Sequence, residues 1–244
     1  KISDGKVFFA ANDGKAYALD LGSGRLVWSR DLGEGAQAGG YLLASPALDE
    51  ARIYFSSLDG RVFAIDRNTG AIIWQVQLPV PIRFAPSVSD GRVYLGSHDG
   101  VLRSINALTG TVLWSFTVGV PIADGLAVSS TTLYVASKDG KLRALTKAAV
   151  GLLWEFDAHS SLRGGPSVLG SSLVIGSEDG SLYQVSVATG GLLGKISLSG
   201  RVAAPVALAG GKAHVFTDSG VLYSFKSPNQ VPGAPTQLRV NART

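Results

Sequence analysis

The sequence contains no cysteine, only three histidines, and no apolar run of the roughly 18 residues that a membrane helix takes. Without Cys there are no disulfides and no thiolate metal ligands. The chain therefore works in a reducing compartment, or it is an exported bacterial protein whose fold needs no covalent staples. The histidines at 98, 159 and 214 lie far apart, so a three-His metal site would need three separate stretches to converge. Charge of one sign is also scarce. Charged residues make up 16% of the chain and the net charge is +4, without the clustered Lys, Arg and stacking aromatics that a nucleic acid would call for. No Gly-x-Ser-x-Gly elbow occurs and no triad can be assembled. Gly33-Glu34-Gly35 opens like a dinucleotide fingerprint, but it neither follows a parallel strand nor opens a helix.

What the chain does have is a repeat, written six times and clearest from Ser89 to Phe116 as SDGRVYLGSHDGVLRSINALTGTVLWSF. Two apolar runs alternating with a period near 2 flank an Asp-Gly turn, and a Thr-Gly turn leads to a third run ending in Trp. The pattern predicts strand, hairpin, strand, turn, strand, with a short inner strand ahead of it around Ala85 to Ser89. Gly100 is expected to supply the positive φ of a two-residue hairpin loop, with Asp99 tolerating the same region. The hairpin dipeptide recurs at Asp13-Gly14, Asp59-Gly60, Asp99-Gly100, Asp139-Gly140 and Asp179-Gly180, and Ser219-Gly220 is a degenerate sixth. The first step is 46 residues and each later one is 40. Trp28, Trp74, Trp114 and Trp154 share one phase, with Gly194 where a fifth would stand. Each ring is expected to pack between neighbouring sheets, which leaves none for an active site.

Four strands per unit of about 40 residues, without helices, predict an all-β fold, a β-propeller of about six four-stranded antiparallel blades. The alternative is part of a seven- or eight-bladed propeller. Residues 1–227 would form it. Ile2-Ser3-Asp4-Gly5 matches Val88-Ser89-Asp90-Gly91, so the chain begins partway through an inner strand, as a mature or truncated piece would. The first copy then supplies Val7 to Ala10, Lys15 to Asp20 and Arg25 to Arg30, its inner strand missing or upstream. Asp31 to Tyr41 reads as an enlarged loop. At the other end, residues 228–244 read as a Pro-rich linker whose PGAPTQLRV resembles the opening of a fibronectin type III module. In the alternative, Gln237 to Asn241 provide the outer strand of the last blade.

The copies resemble the PQQ-type propeller repeats, with the pattern VY-G-S-DG-LYALD-TG-W nearly intact in residues 53–74 and 93–114. The resemblance covers residues 2–226. It implies a family that includes calcium- and quinone-dependent dehydrogenases, non-catalytic assembly factors such as the outer-membrane-assembly lipoprotein, and bacterial surface proteins. The dehydrogenases resemble one another in a vicinal Cys pair over the quinone, a Trp floor beneath it, and Glu, Asn and Asp around calcium. Here there is no Cys, and the Trp residues are committed to the blade motif. Eleven of the 18 acidic residues sit at repeated turns or strand ends, and the other seven form no calcium loop. The expectation is no quinone, no calcium, no metal site and no catalysis.

Function on a repeat scaffold belongs where the copies disagree. In the connections into the inner strands, the residue three before the strand Pro is Leu43, Arg83, Ala123 or Arg163; Asp124 is adjacent in the fourth copy, and Arg201 is near the same phase in the sixth. Arg83, Arg163 and Arg201 are thus expected to ring one channel mouth beside the enlarged loop, offering paired donors to a carboxylate, sulfate or phosphate. Tyr41 and Phe84 are the rim aromatics that a carbohydrate-binding or polysaccharide-processing module would use. The reading that follows is a non-catalytic binding or assembly scaffold. It would belong to an exported, extracellular or periplasmic bacterial protein with neighbouring domains, and would take a protein partner, an anionic peptide or an anionic glycan, but not nucleic acid.

Overall fold

The computed structural model describes residues 1–33, 44–123, 125–148, 151–202, 204–209, 212–226 and 236–239, the side chains of 226 and 236–239 excepted. The described residues contain no helix, and every strand belongs to one of six four-stranded antiparallel sheets in meander order. Two compact units divide the chain, Lys1–Gly119 and Val120–Thr244.

The first unit holds three blades. Blade 1 is β1 Ile2–Ser3, β2 Lys6–Ala10, β3 Lys15–Asp20 and β4 Leu26–Asp31. Blade 2 is β5 Ala47–Leu48, β6 Arg52–Ser56, β7 Arg61–Asp66 and β8 Ile72–Gln77. Blade 3 is β9 Ser87–Ser89, β10 Arg92–Gly96, β11 Val101–Asn106 and β12 Val112–Thr117. The second unit holds three more. Blade 4 is β13 Ala127–Val128, β14 Thr132–Ala136, β15 Lys141–Thr146 and β16 Leu152–Asp157. Blade 5 is β17 Leu162–Leu169, β18 Ser172–Ser177, β19 Ser181–Ser186 and β20 Leu192–Ser197. Blade 6 is β21 Ala207–Ala209, β22 Lys212–Phe216, β23 Val221–Lys226 and β24 Thr236–Arg239.

Both terminal blades have four strands. The inner strand read as missing from blade 1 is present as β1, where Ile2 pairs with Val7 and Ser3 with Lys6. In blade 6, β24 pairs along β23, Val221 opposite Arg239 and Ser224 opposite Thr236.

Alternation along the two middle strands gives each blade two faces, and within each unit the interior is built by laying the rear face of one blade on the front face of the next. Phe8, Ala16, Ala18 and Trp28 at the rear of blade 1 cluster with Ile53, Phe55, Phe63 and Ile65 at the front of blade 2. Tyr54, Val62, Ala64 and Trp74 meet Val93, Leu95 and Ile105 in the same way. In the second unit, Tyr134, Ala136, Leu142 and Ala144 of blade 4 meet Leu173, Ile175, Tyr183 and Val185 of blade 5. Val174 and Leu182 then meet Ala213, Val215, Val221 and Tyr223 of blade 6.

The Asp-Gly hairpins are one residue longer than the spacing suggested. In blade 3, Gly96 lies opposite Leu102, the Ser97 amide donates to the Val101 carbonyl at 3.2 Å, and the Gly100 amide donates to the Ser97 carbonyl at 3.0 Å. The loop is therefore His98-Asp99-Gly100, a turn closed by a left-handed glycine, with Gly100 at φ 75°. Asp99 is not left-handed. Its carboxylate instead accepts hydrogen bonds from the Ser97 hydroxyl at 2.5 Å, the Val101 amide at 3.1 Å and Arg103 Nη2 at 2.9 Å. Blade 4 repeats the lock with Ser137, Asp139 and Arg143, and blade 2 uses Ser57, Asp59 and Arg61. The spacing Ser-x-Asp-Gly-x-x-Arg, present at 97–103 and 137–143, is the sequence signal for it.

These locks give stability a defined pH dependence. Burial pushes the carboxyls of Asp59, Asp99 and Asp139 up, but the donated hydrogen bonds and adjacent guanidiniums outweigh it, so each titrates below the ordinary carboxylate range. A depressed folded-state pKa contributes stability that is fully present above the unfolded value of about 3.9 and is lost as pH falls through the folded one. The melting temperature should be flat from neutral pH down to about pH 5 and then drop steeply below about pH 4. In Asp99→Asn the neutral-pH stability should fall and the acid slope become shallower. An unchanged slope would place the titration elsewhere.

The outer strands of blades 1 to 5 carry a bulge at one repeat position. Trp74 lies opposite Ala64 while Ile72 lies opposite Ile65, so Ile73 is the extra residue. Blades 1, 3, 4 and 5 shift register at the same place. A bulge twists an exposed edge away from further pairing, which matters here because the residues around it are apolar and exposed, as with Ile72 and Ile73 at 40% and 44%.

Candidate functional site

The hairpin turn and the connection into the inner strand lie at the same end of each blade of the second unit. The amide of the residue before the turn Asp, or of its counterpart in blade 6, donates to the connection: Lys138 to the Pro121 carbonyl, Glu178 to Ser161, and Asp218 to Arg201, each at 2.9 Å. Short bridges, Ile122 with Ser137 and Val202 with Thr217, continue this pairing. The two stretches on which the copies vary most are thereby placed side by side.

The charges there form a network. Glu178 Oε1 lies 3.3 Å from Lys138 Nζ and 3.3 Å from Arg163 Nε. Asp218 accepts from the Arg201 backbone amide and from Arg201 Nε, both at 2.8 Å. The side-chain and backbone hydrogen bonds from Arg201, together with the field of Arg163, hold the Asp218 carboxyl below the usual carboxylate range. Arg163 and Arg201 therefore share one cluster, but not as bare guanidiniums. Each is engaged at its Nε edge by a carboxylate, while its terminal amino groups donate no hydrogen bond among the described residues. Their side chains are 42% and 61% exposed, open enough for a ligand to reach.

The other sequence candidates fall elsewhere. Arg83, in the first unit, is exposed and has no ion pair among the described residues; the preceding Ile82 amide donates to the Ser57 carbonyl at 3.2 Å, so it too sits on a connection beside a hairpin turn. Phe84 is half-buried, and its carbonyl accepts from the Ser56 hydroxyl at 3.0 Å. Tyr41, Asp124 and most of the Asp31 to Tyr41 loop lie outside the described residues. Sequence reasoning missed Lys138 and Glu178 as members of the cluster. Both occupy the variable position before the turn Asp, where Glu178 and Asp218 stand at the same phase and could have been matched to the cations of the connections.

The Trp residues serve the scaffold. The Trp28 indole donates to the Arg67 carbonyl at 3.1 Å, Trp74 to Ala107 at 3.0 Å and Trp154 to Val187 at 3.0 Å, each reaching the next blade. Trp28 and Trp74 are buried, at 8% and 9%, whereas Trp114 and Trp154 are half-buried. Among the described residues no group of three His, Asp or Glu side chains is placed to hold a metal ion, and no helix is long and apolar enough to cross a membrane.

Structural relatives share this architecture. The crystal structure of BamB from Moraxella catarrhalis superposes with a TM-score of 0.73 at 22% identity, covering 91% of this chain and 70% of that one. The computationally designed Ika8 protein superposes with a TM-score of 0.80 at 18% identity, covering 95% of this chain and 71% of the design. At these identities the likeness speaks for the fold. Among curated protein sequences, none matches. The family model for the outer membrane protein assembly factor BamB matches residues 12–148 and 138–229. Those segments take in most of the chain and run through all six blades, and the protein belongs to the BamB family.

Proposed function

We propose that this protein is a non-catalytic binding scaffold of an exported, periplasmic or outer-membrane-associated bacterial assembly system. Its ligand is an acidic protein segment taken at the end of the blades where hairpin turns and connections meet. The observation that carries this is the state of Arg163 and Arg201. Each is held at Nε by Glu178 or Asp218, while its side chain stays exposed enough for a ligand to reach the remaining donors. A carboxylate can accept two parallel hydrogen bonds from such a group. Lys138, paired with the same Glu178, adds a further positive charge. The BamB family name supports an assembly role.

Titration with a fluorescent oligo-glutamate peptide tests this, with a sulfated glycan of similar length in a parallel arm. Binding of the peptide should weaken with added salt, and Arg163→Ala with Arg201→Ala should lower affinity about tenfold or more, as expected for lost hydrogen bonds to charged groups. Unchanged affinity in these variants, or tight binding of the glycan alone, sinks the reading.

A further inference from the structure

Glu178 and Asp218 occupy one phase of successive copies, 40 residues apart, yet the chain holds their carboxylates in different ways. Each donates its backbone amide to the residue 17 positions earlier, Asp218 to the Arg201 carbonyl and Glu178 to that of Ser161, both at 2.9 Å. For Asp218 that backbone partner is also its cation. Its two oxygens divide between the Arg201 amide and Arg201 Nε, at 2.8 Å each, and Oδ1 lies so near the connection that a Cβ on Gly200 would stand 2.7 Å from it. The carboxylate is wedged there, and its departure would leave the Arg201 amide without this acceptor.

Glu178 has no such hold. Its cation, Arg163, stands two residues beyond Ser161, so the longer Glu side chain reaches past the backbone pairing to meet it. Oε1 alone makes contacts, at 3.3 Å to Lys138 Nζ and 3.3 Å to Arg163 Nε, and neither oxygen takes a backbone amide among the described residues. The three side chains are between 35% and 42% exposed, and ion pairs in such a setting hold their geometry weakly. We propose that Glu178 is an internal ligand of this site: Oε1 marks the position between Lys138 and Arg163 that a carboxylate of an acidic segment takes, and binding exchanges the one for the other while Asp218 stays and holds Arg201. This rests on the reading of the cluster as an acidic-segment site. Glu178 is tethered, so a lone carboxylate displaces it poorly. A segment that also places a carboxylate on the terminal amino groups of Arg201 is tethered in its turn, and the exchange then succeeds. The occupant is therefore a segment with at least two acidic residues, Lys138 is one of its contacts, and Glu178 sets its affinity.

Titrating the fluorescent oligo-glutamate peptide into the parent chain, Glu178→Gln and Asp218→Asn separates the two carboxylates. Glu178→Gln removes the internal competitor and should bind about two- to fivefold tighter, the factor an exposed ion pair is worth, with a steeper salt dependence. Asp218→Asn should bind more weakly than the parent, because Arg201 loses its hold. Lys138→Ala added to Glu178→Gln should reverse most of the gain. The melting temperatures of the parent and Glu178→Gln should agree within about 2 °C, since an exposed pair adds little to stability. In the parent itself, the peptide should move the Arg163 Nε–H resonance more than that of Arg201. Affinity unchanged or lowered in Glu178→Gln, or raised alike in both carboxylate variants, overturns the proposal; if Arg163→Ala with Arg201→Ala still weakens binding, the acidic-segment reading stands without it. A parent chain that takes no peptide removes the proposal and that reading together.

Discussion

Replacing Trp74 by Ala should destabilise the protein by about 3–5 kcal/mol, the usual range for emptying a core Trp site. Trp74 is 9% exposed, its ring packs 5.9 Å from that of Tyr54, and its indole hydrogen bonds the Ala107 carbonyl of the next blade. Truncation removes the apolar contact, opens a cavity against Gly110 and leaves the Ala107 carbonyl without this indole donor. A loss of that size is a large part of the 5–15 kcal/mol that typically separates folded from unfolded states. Trp114→Ala should cost less. Its ring is half-buried and its N–H finds no acceptor among the described residues. Urea denaturation of the two variants side by side measures the difference. Equal costs would mean that inter-blade capping by Trp74 adds nothing to simple burial.

The fold was legible because the repeat states each instruction several times. A single Asp-Gly or Trp is a weak signal, but five hairpin dipeptides and four Trp residues in one phase leave little freedom in strand order or in which face is buried. What escaped the sequence depends on side chains that act across the period. The hairpin loop proved longer by one residue because Asp99 serves as a hydrogen-bond acceptor for Ser97, Val101 and Arg103, a role that an Asp-Gly dipeptide does not reveal alone. The inner strand of blade 1 was hard to see because two residues, Ile2 and Ser3, are too few to show alternation; only pairing with Lys6 and Val7 defines it. The outer-strand bulge was hidden because Ile72 and Ile73 read as a continuous apolar run, and the register slip follows from placing Trp74 rather than from any special residue.

The candidate site was legible in part for a related reason. Arg163 and Arg201 stood out because the copies differ there, but variation marks a position without saying what surrounds it. Glu178 and Asp218 lie 15 and 17 residues further on, and only the amide bonds tying each hairpin turn to its connection bring them alongside. The sequence suggested open guanidiniums; in the fold each is paired with, and partly neutralised by, a carboxylate. On the proposed reading, such an arrangement lowers the net field and would favour a ligand with placed carboxylates over diffuse polyanions.

A double-mutant cycle between Trp74 and Gly110 should show strong, sign-definite coupling. Gly110 has φ 76°, where a Cβ costs about 1–2 kcal/mol from backbone sterics alone. A Cβ there would also stand 2.8 and 2.9 Å from Cδ2 and Cε3 of Trp74, so the ring must shift in an interior that is already full. Overpacking of this kind adds about 1–3 kcal/mol. Gly110→Ala should therefore be markedly destabilising in the parent. With Trp74 already Ala, the steric part has no ring to act on, and the same change should cost only the backbone part. The double variant should accordingly be more stable than the sum of the singles predicts, by about 1–3 kcal/mol. Gly24→Ala provides the reference for the backbone part, since its φ is 68° and its Cβ would meet nothing within 4 Å. If the two changes at 74 and 110 are additive, or if Gly24→Ala costs as much as Gly110→Ala, the ring does not bear on the glycine, and the inter-blade cap must owe its stability to something else.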